Sequence, residues 1–171
     1  MHIRIANSND LGALTQLEKY FPSDRISRSS FRHLIHKGHA DIWVCDIDGD
    51  LVGNAVVLYR RVAPIARLYS LVVRPDYQRQ GIARSLMAAA AAAAGKHGCR
   101  ELQLEVRPDN NLAVGFYRKA GFQTTGKIAG FYQDGTDALK MRKPLAPAMQ
   151  KPSGRSRWPR SPARGVTYPT P

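Results

Sequence analysis

Ile3 and Ile5 alternate with polar neighbours before Asn7-Ser8, a pattern that predicts a short strand. Leu11, Leu14, Leu17 and Tyr20 then recur at helical spacing, so a first helix is expected, capped by Ser8 or Asn9 and ended by Pro22. Phe31, Leu34 and Ile35 fall on one face of a second helix, Ser27 to Lys37, with Gly38 as its stop. The β-rich runs Ala40 to Ile47 and Leu51 to Arg60 flank Asp48-Gly49-Asp50, the turn chemistry of a hairpin, and a third strand, Ala66 to Val73, stops before Pro75. From Gly81 the period becomes helical through Ile82, Leu86, a run of alanines and Lys96, with Gly98 closing the segment. Arg100 to Arg107 reads as a strand that puts Leu102, Leu104 and Val106 on one face and Gln103 and Glu105 on the other. Asp109-Asn110 caps a helix from Leu112 to Lys119 that ends at Gly121, and two last strands flank a turn around Asp134-Gly135. The order is that of an α/β chain with an antiparallel start and a strand-helix-strand unit in its middle.

With 171 residues, of which 43% are hydrophobic, the chain suits one core with an appendage rather than two domains. Its 26 Lys and Arg against 13 Asp and Glu give a net charge of +13. Much of the excess is local, because Lys143, Lys151, Arg155, Arg157, Arg160 and Arg164 meet no acidic residue after position 142. The end of the chain is also rich in proline and lacks a periodic apolar face. Residues 1–143 are therefore expected to form the domain, and 144–171 a basic, Pro-rich disordered tail.

The N-terminus has no continuous apolar leader, and the longest apolar run, Leu86 to Ala94, is about half a membrane span. A soluble cytoplasmic protein with no membrane partner is the expectation. Cys45 and Cys99 are too few for a disulfide framework and lack zinc-ligand spacing, so both read as small core residues. His33 and His36 share a helix face without further ligands, and no metal is expected.

The segment Val73-Arg74-Pro75-Asp76-Tyr77-Gln78-Arg79-Gln80-Gly81-Ile82-Ala83-Arg84 leads a strand through a turn into a helix. Free N–H groups and the helix dipole make that helix start an anion site, and small residues at 81 and 83 let a phosphate come close to the main chain. It is neither a Walker loop nor a dinucleotide fingerprint, and on physical grounds alone it is equally a well-capped basic helix. A second segment follows, Leu104-Glu105-Val106-Arg107-Pro108-Asp109-Asn110, then Ala113, Phe116, Tyr117 and Lys119-Ala120-Gly121-Phe122. Together, over roughly residues 1–143, these resemble the GNAT family of N-acetyltransferases, which transfer acetyl from acetyl-CoA to an amine. Phe131-Tyr132 and the run from Asp134 to Met141 further resemble the subgroup that acetylates ribosomal-protein alanine N-termini.

That resemblance implies a GNAT fold, a mixed central sheet with splayed parallel strands and flanking helices. Leu71, Val72 and Val73 would offer unpaired backbone to the pantetheine arm of acetyl-CoA, the cosubstrate. Arg79, Gln80, Gly81, Ile82, Ala83 and Arg84 would cradle its pyrophosphate, and Asn110 would contact CoA. Glu105 matches the subgroup's proton acceptor and Tyr117 its general acid. The chemistry is self-consistent, since an attacking amine must lose a proton and the departing thiolate must gain one.

Each of these residues has an ordinary reading in isolation: Tyr117 as helix core, Glu105 as a solvated sheet face, Asn110 as a cap, and Tyr69 and Tyr132 as structural tyrosines beside a substrate cleft. The segment from Phe21 to Ser27 departs from the subgroup's Pro-Trp-Ser. The reading carried forward is an acetyl-CoA-dependent N-acetyltransferase acting on a protein or peptide N-terminal α-amine. The alternatives are the same chemistry on a small-molecule amine and a nucleic-acid-binding protein that uses only the basic tail.

Overall fold

The computed structural model describes residues 1–21, 25–60 and 63–146. Seven strands form one sheet: β1 (His2–Ile5), β2 (Ala40–Ile47), β3 (Asp50–Tyr59), β4 (Ile65–Val73), β5 (Glu101–Val106), β6 (Gln123–Ile128) and β7 (Ala138–Pro144). Four α-helices flank it: α1 (Leu11–Leu17), α2 (Arg28–His36), α3 (Ile82–Lys96) and α4 (Asn111–Lys119). The sheet order is β1-β2-β3-β4-β5-β7-β6, in which β4 and β5 are the parallel pair and every other neighbouring pair is antiparallel. This mixed sheet with flanking helices is the expected fold, with element ends moved by a residue or two. Of the tail expected over 144–171, residues 147–171 lie outside those described, whereas Pro144 ends β7 and Leu145 packs against the core.

The sequence misplaces the first helix cap. Asn7, rather than Ser8 or Asn9, starts the turn that leads into α1, its side chain accepting from the Asn9 N–H at 2.9 Å while Asp10 accepts from the Asn7 N–H at 2.8 Å. Arg4 of β1 also grips both Asp10 carboxylate oxygens at 2.8 Å, holding the residue that completes this cap. The β2–β3 hairpin turns as expected, with Asp48 and Gly49 both at positive φ, +53° and +88°, as a two-residue type I′ turn requires.

β3 is buried on both faces. Ala55 and Val57 meet the core under α3, whereas Val56 meets the core under α1 and α2. The alanines of α3 let that helix lie low on the sheet, with Leu86, Ala90 and Ala94 fully buried along one stripe. Gly53 marks the closest approach: a Cβ there would stand 3.0 Å from the Val72 carbonyl and 3.1 Å from Leu86. Cys45 and Cys99 are free, buried core residues, and burial pushes both thiols up.

Candidate active site

Two parallel strands part in the middle of the sheet. β4 pairs with β5 only through Ile65, Ala66 and Arg67, while β5 continues along β7 as far as Val106. The cause lies on the other edge of β4. Val56 pairs with Ser70 and Val57 with Leu68, so Tyr69 is an extra residue in the ladder, a bulge that bends β4 away from β5. Leu71, Val72 and Val73 therefore border a wedge, with no strand partner on the β5 side.

The wedge opens toward the N-terminus of α3. Arg79 and Gly81 sit at φ +63° and +80°, left-handed conformations that turn the loop tightly into the helix. The first bond in the helix runs from the Ser85 N–H to the Gly81 carbonyl, 3.0 Å, so the N–H groups of Ile82, Ala83 and Arg84 have no carbonyl one turn back to bind. No heavy atom lies within 4 Å of where a Gly81 Cβ would stand, which leaves the loop open to a ligand. Charge comes from exposed Arg79 and Arg84, which form no ion pair among the described residues, whereas Arg74 is engaged by Asp76 at 2.8 Å and lies over the Tyr77 ring. Gln80 donates to the Asp76 carbonyl and so steadies the turn.

On the other side of the wedge is a cavity of about 230 Å³, lined by Glu18, Phe21, Ile26, Arg67, Tyr69, Ser70, Val72, Glu105, Phe131 and Tyr132. Glu105 is not on a solvated face. Its side chain is 7% exposed, Oε2 accepts from Arg67 Nε at 2.6 Å, and Oε1 accepts from Gln103 Nε2 at 2.8 Å. The segment between β6 and β7 closes one wall, where Arg107 donates to Asp134 at 2.8 Å and lies 4.3 Å over the Tyr132 ring. That brings Phe131 and Tyr132 to the cavity from far along the chain.

Tyr117 packs edge-on to Phe116 and Phe122, with ring centroids 5.4 and 5.7 Å away, and does not line the cavity. Burial, with Tyr132 nearby adding to it, pushes its hydroxyl up to about 12, so at neutral pH it keeps its proton. Asn110 caps α4, its side chain accepting from the Ala113 N–H at 3.1 Å. The structure thus gathers Leu71–Val73, the 79–84 loop and Glu105 around one wedge and leaves Tyr117 on a neighbouring helix, within electrostatic reach of Tyr132.

A family model described as an acetyltransferase (GNAT) domain matches residues 8–145, most of the chain. The chain belongs to the GNAT acetyltransferase family. It is 29% identical, over 141 residues covering 81% of it and 92% of the relative, to a Bacillus subtilis (strain 168) protein provisionally named a [ribosomal protein bS18]-alanine N-acetyltransferase. An N-alpha-acetyltransferase of Sulfurisphaera tokodaii is 25% identical over 154 residues, 84% of this chain and 92% of the relative. Among solved structures, the ribosomal-protein-S18-alanine N-acetyltransferase from Escherichia coli superposes with a TM-score of 0.76 at 26% identity, covering 90% of this chain and 99% of that one.

Within this GNAT chain, Arg67, Arg107, Glu18 and Ser70 are among the site-lining or site-shaping residues that reading the sequence missed. Arg67 and Arg107 left no local signal, since their partners lie 38 and 27 positions away. Glu18 did leave one: it stands on the apolar face set by Leu11 and Leu14, where a carboxylate is out of place. Among the described residues no cluster of three or more His, Cys, Asp or Glu is arranged to hold a metal, and no helix is long and apolar enough to cross a membrane.

Proposed function

We propose that this acetyltransferase moves the acetyl group of acetyl-CoA to a primary amine, the N-terminal α-amine of a protein or peptide. The observation that carries the reading is the wedge between β4 and β5, which joins an open, positively charged helix N-terminus to a cavity holding a clamped carboxylate. In this reading the first-turn N–H groups and Arg79 and Arg84 hold the pyrophosphate, with Gly81 leaving room for it. The edge of Leu71, Val72 and Val73 binds the amide-bearing arm, and Asn110 contacts the same cosubstrate while capping α4. When bound, acetyl-CoA supplies an activated thioester carbonyl.

The residues then divide the proton work. Glu105, positioned by Arg67 and Gln103, takes a proton from the amine nitrogen as it forms the new C–N bond, and Tyr117 gives a proton to the sulfur as the C–S bond breaks. The α-amine assignment is supported by the names of the relatives above and by proton arithmetic. An α-amine with pKa about 7.7–8.0 is roughly 10–20% neutral at pH 7, against about 0.04% for a lysine at about 10.4.

Two measurements test this. A thiol-release screen with peptides of varied N-termini, lysine peptides and small amines should show turnover with free α-amines, and reaction with small amines alone would overturn the acceptor class. Replacing Gly81 with Glu adds bulk and negative charge where the phosphates would lie, so calorimetry should show acetyl-CoA binding abolished. Unchanged affinity in a folded Gly81→Glu protein would remove the loop from the site.

A further inference from the structure

The cavity contains a second carboxyl group to which the reaction described above gives no role. Glu18, in the single turn of 3-10 helix that extends α1 (Glu18–Tyr20), is only 4% exposed and lines the cavity. Its Oε2 accepts from the Ile26 N–H at 2.9 Å, whereas Oε1 is buried and has no hydrogen-bond partner among the described residues. Asn54 of β3, fully buried, stands near enough to favour the anion, yet neither of its side-chain polar atoms meets hydrogen-bond geometry with any described partner. With only the ill-aligned Asn54 amide beside it among the described residues, Oε1 is an under-satisfied buried carboxylate oxygen, which is costly, and proteins retain few of them without use.

We propose that Glu18 receives the acceptor's ammonium group and takes the first of its two protons. The inference rests on the acetyl transfer proposed above and deepens it. The charges of the cavity lining support it: Arg67 is committed to Glu105 at 2.6 Å, and Glu18, favoured as the anion by Arg25 but in no ion pair among the described residues, is the lining carboxyl left for a cationic ligand. The proton count calls for it as well. An amine arrives as R–NH₃⁺ and leaves as R–NH–acetyl, so nitrogen must lose two protons, one to free its lone pair before attack and one as the amide forms. In this scheme one N–H proton passes to the Glu18 carboxylate and the freed lone pair forms the C–N bond. The C–S bond then breaks, the second proton goes to Glu105, and Tyr117 protonates the sulfur. The balance is R–NH₃⁺ plus acetyl-CoA giving R–NH–acetyl, CoA–SH and one proton released to water. Burial pushes the Glu18 carboxyl up, which narrows the gap between acceptor and donor for the first transfer.

The ionisable groups facing Glu18 are Arg25 on its own connecting segment, Arg67 and Tyr69 from β4, Glu105 from β5 and Tyr132 from the β6–β7 segment. Glu18→Gln keeps the shape and an acceptor for the Ile26 N–H but cannot take a proton, so the variant should use only amine that is already neutral. At pH 6.5 an α-amine of pKa about 8 is roughly 3% neutral, so kcat/KM for a peptide with a free α-amine should fall about 30-fold. The deficit should close above pH 9, and acetyl-CoA affinity by calorimetry should stay at the wild-type value. A deficit of equal size at pH 6.5 and 9.5, or none at either, overturns the proposal. If the Gln variant does not fold, Glu18→Asp, with its carboxylate drawn back, should raise the peptide KM about tenfold at pH 6.5 without weakening acetyl-CoA binding, and a wild-type KM there overturns it equally. Wild-type protein that acetylates no amine would instead remove the underlying reaction and this inference with it.

Discussion

Asp10 does two jobs with one carboxylate: it closes the capping box of the first helical turn and accepts both arms of the Arg4 guanidinium. The Arg4 hydrogen bonds hold its carboxyl below the usual range. A depressed carboxyl contributes stability that is present above the unfolded value, about pH 3.9, and is lost as pH falls through the folded value. Asp10→Asn should therefore destabilise the protein by about 1–2 kcal/mol at pH 7, and thermal melts from pH 7 down to pH 3 should show a shallower acid decline than the wild type. Tyr117 is the other test at this scale. Its raised hydroxyl keeps the proton that a leaving thiolate needs, so Tyr117→Phe should lower kcat by about 10²–10⁴ with little change in KM. Steady-state kinetics with saturating acetyl-CoA would read this, and wild-type turnover would return Tyr117 to a packing role beside Phe116 and Phe122.

For the elements, the decisive contact is between α3 and the end of β4. Gly53 lies where both meet β3, and a methyl there would press on the Val72 carbonyl at 3.0 Å, backbone that has little freedom to move. Gly53→Ala should cost about 1–3 kcal/mol by overpacking. It should also weaken acetyl-CoA binding several-fold, because the strand it displaces carries Leu71, Val72 and Val73. Calorimetric affinity and melting temperature on the same variant would show both effects, and a loss of stability with no loss of affinity would separate this packing from the wedge. The elements themselves were largely legible from periodicity, down to the Asp48-Gly49 turn and the Asn110 cap. Their pairing was less so. Nothing local in Leu68, Tyr69 and Ser70 says that Tyr69 is left out of register, because a bulge is defined by two strands and not by one.

At the scale of the whole molecule, the described core ends with Leu145, which packs on the α3 side and donates its N–H to the Arg100 carbonyl at 2.8 Å. A chain cut after Ala146 should keep its fold and its turnover with a small peptide within about twofold, since that cut leaves every described contact in place. Matched melts and rates for the two lengths would check it, and a large fall in kcat would give residues 147–171 a part in the chemistry. The sequence by itself determined the order of elements, the α/β class and the two segments that carry the family resemblance, because helix period, strand alternation and turn residues act over a few positions. Tertiary structure decided what surrounds those segments. It inserted β7 between β5 and β6, pinned Glu105 with an arginine from another strand, and brought Glu18, Phe131 and Tyr132 to one cavity. These outcomes depend on which surfaces bury each other across tens of residues, and no local pattern records that choice.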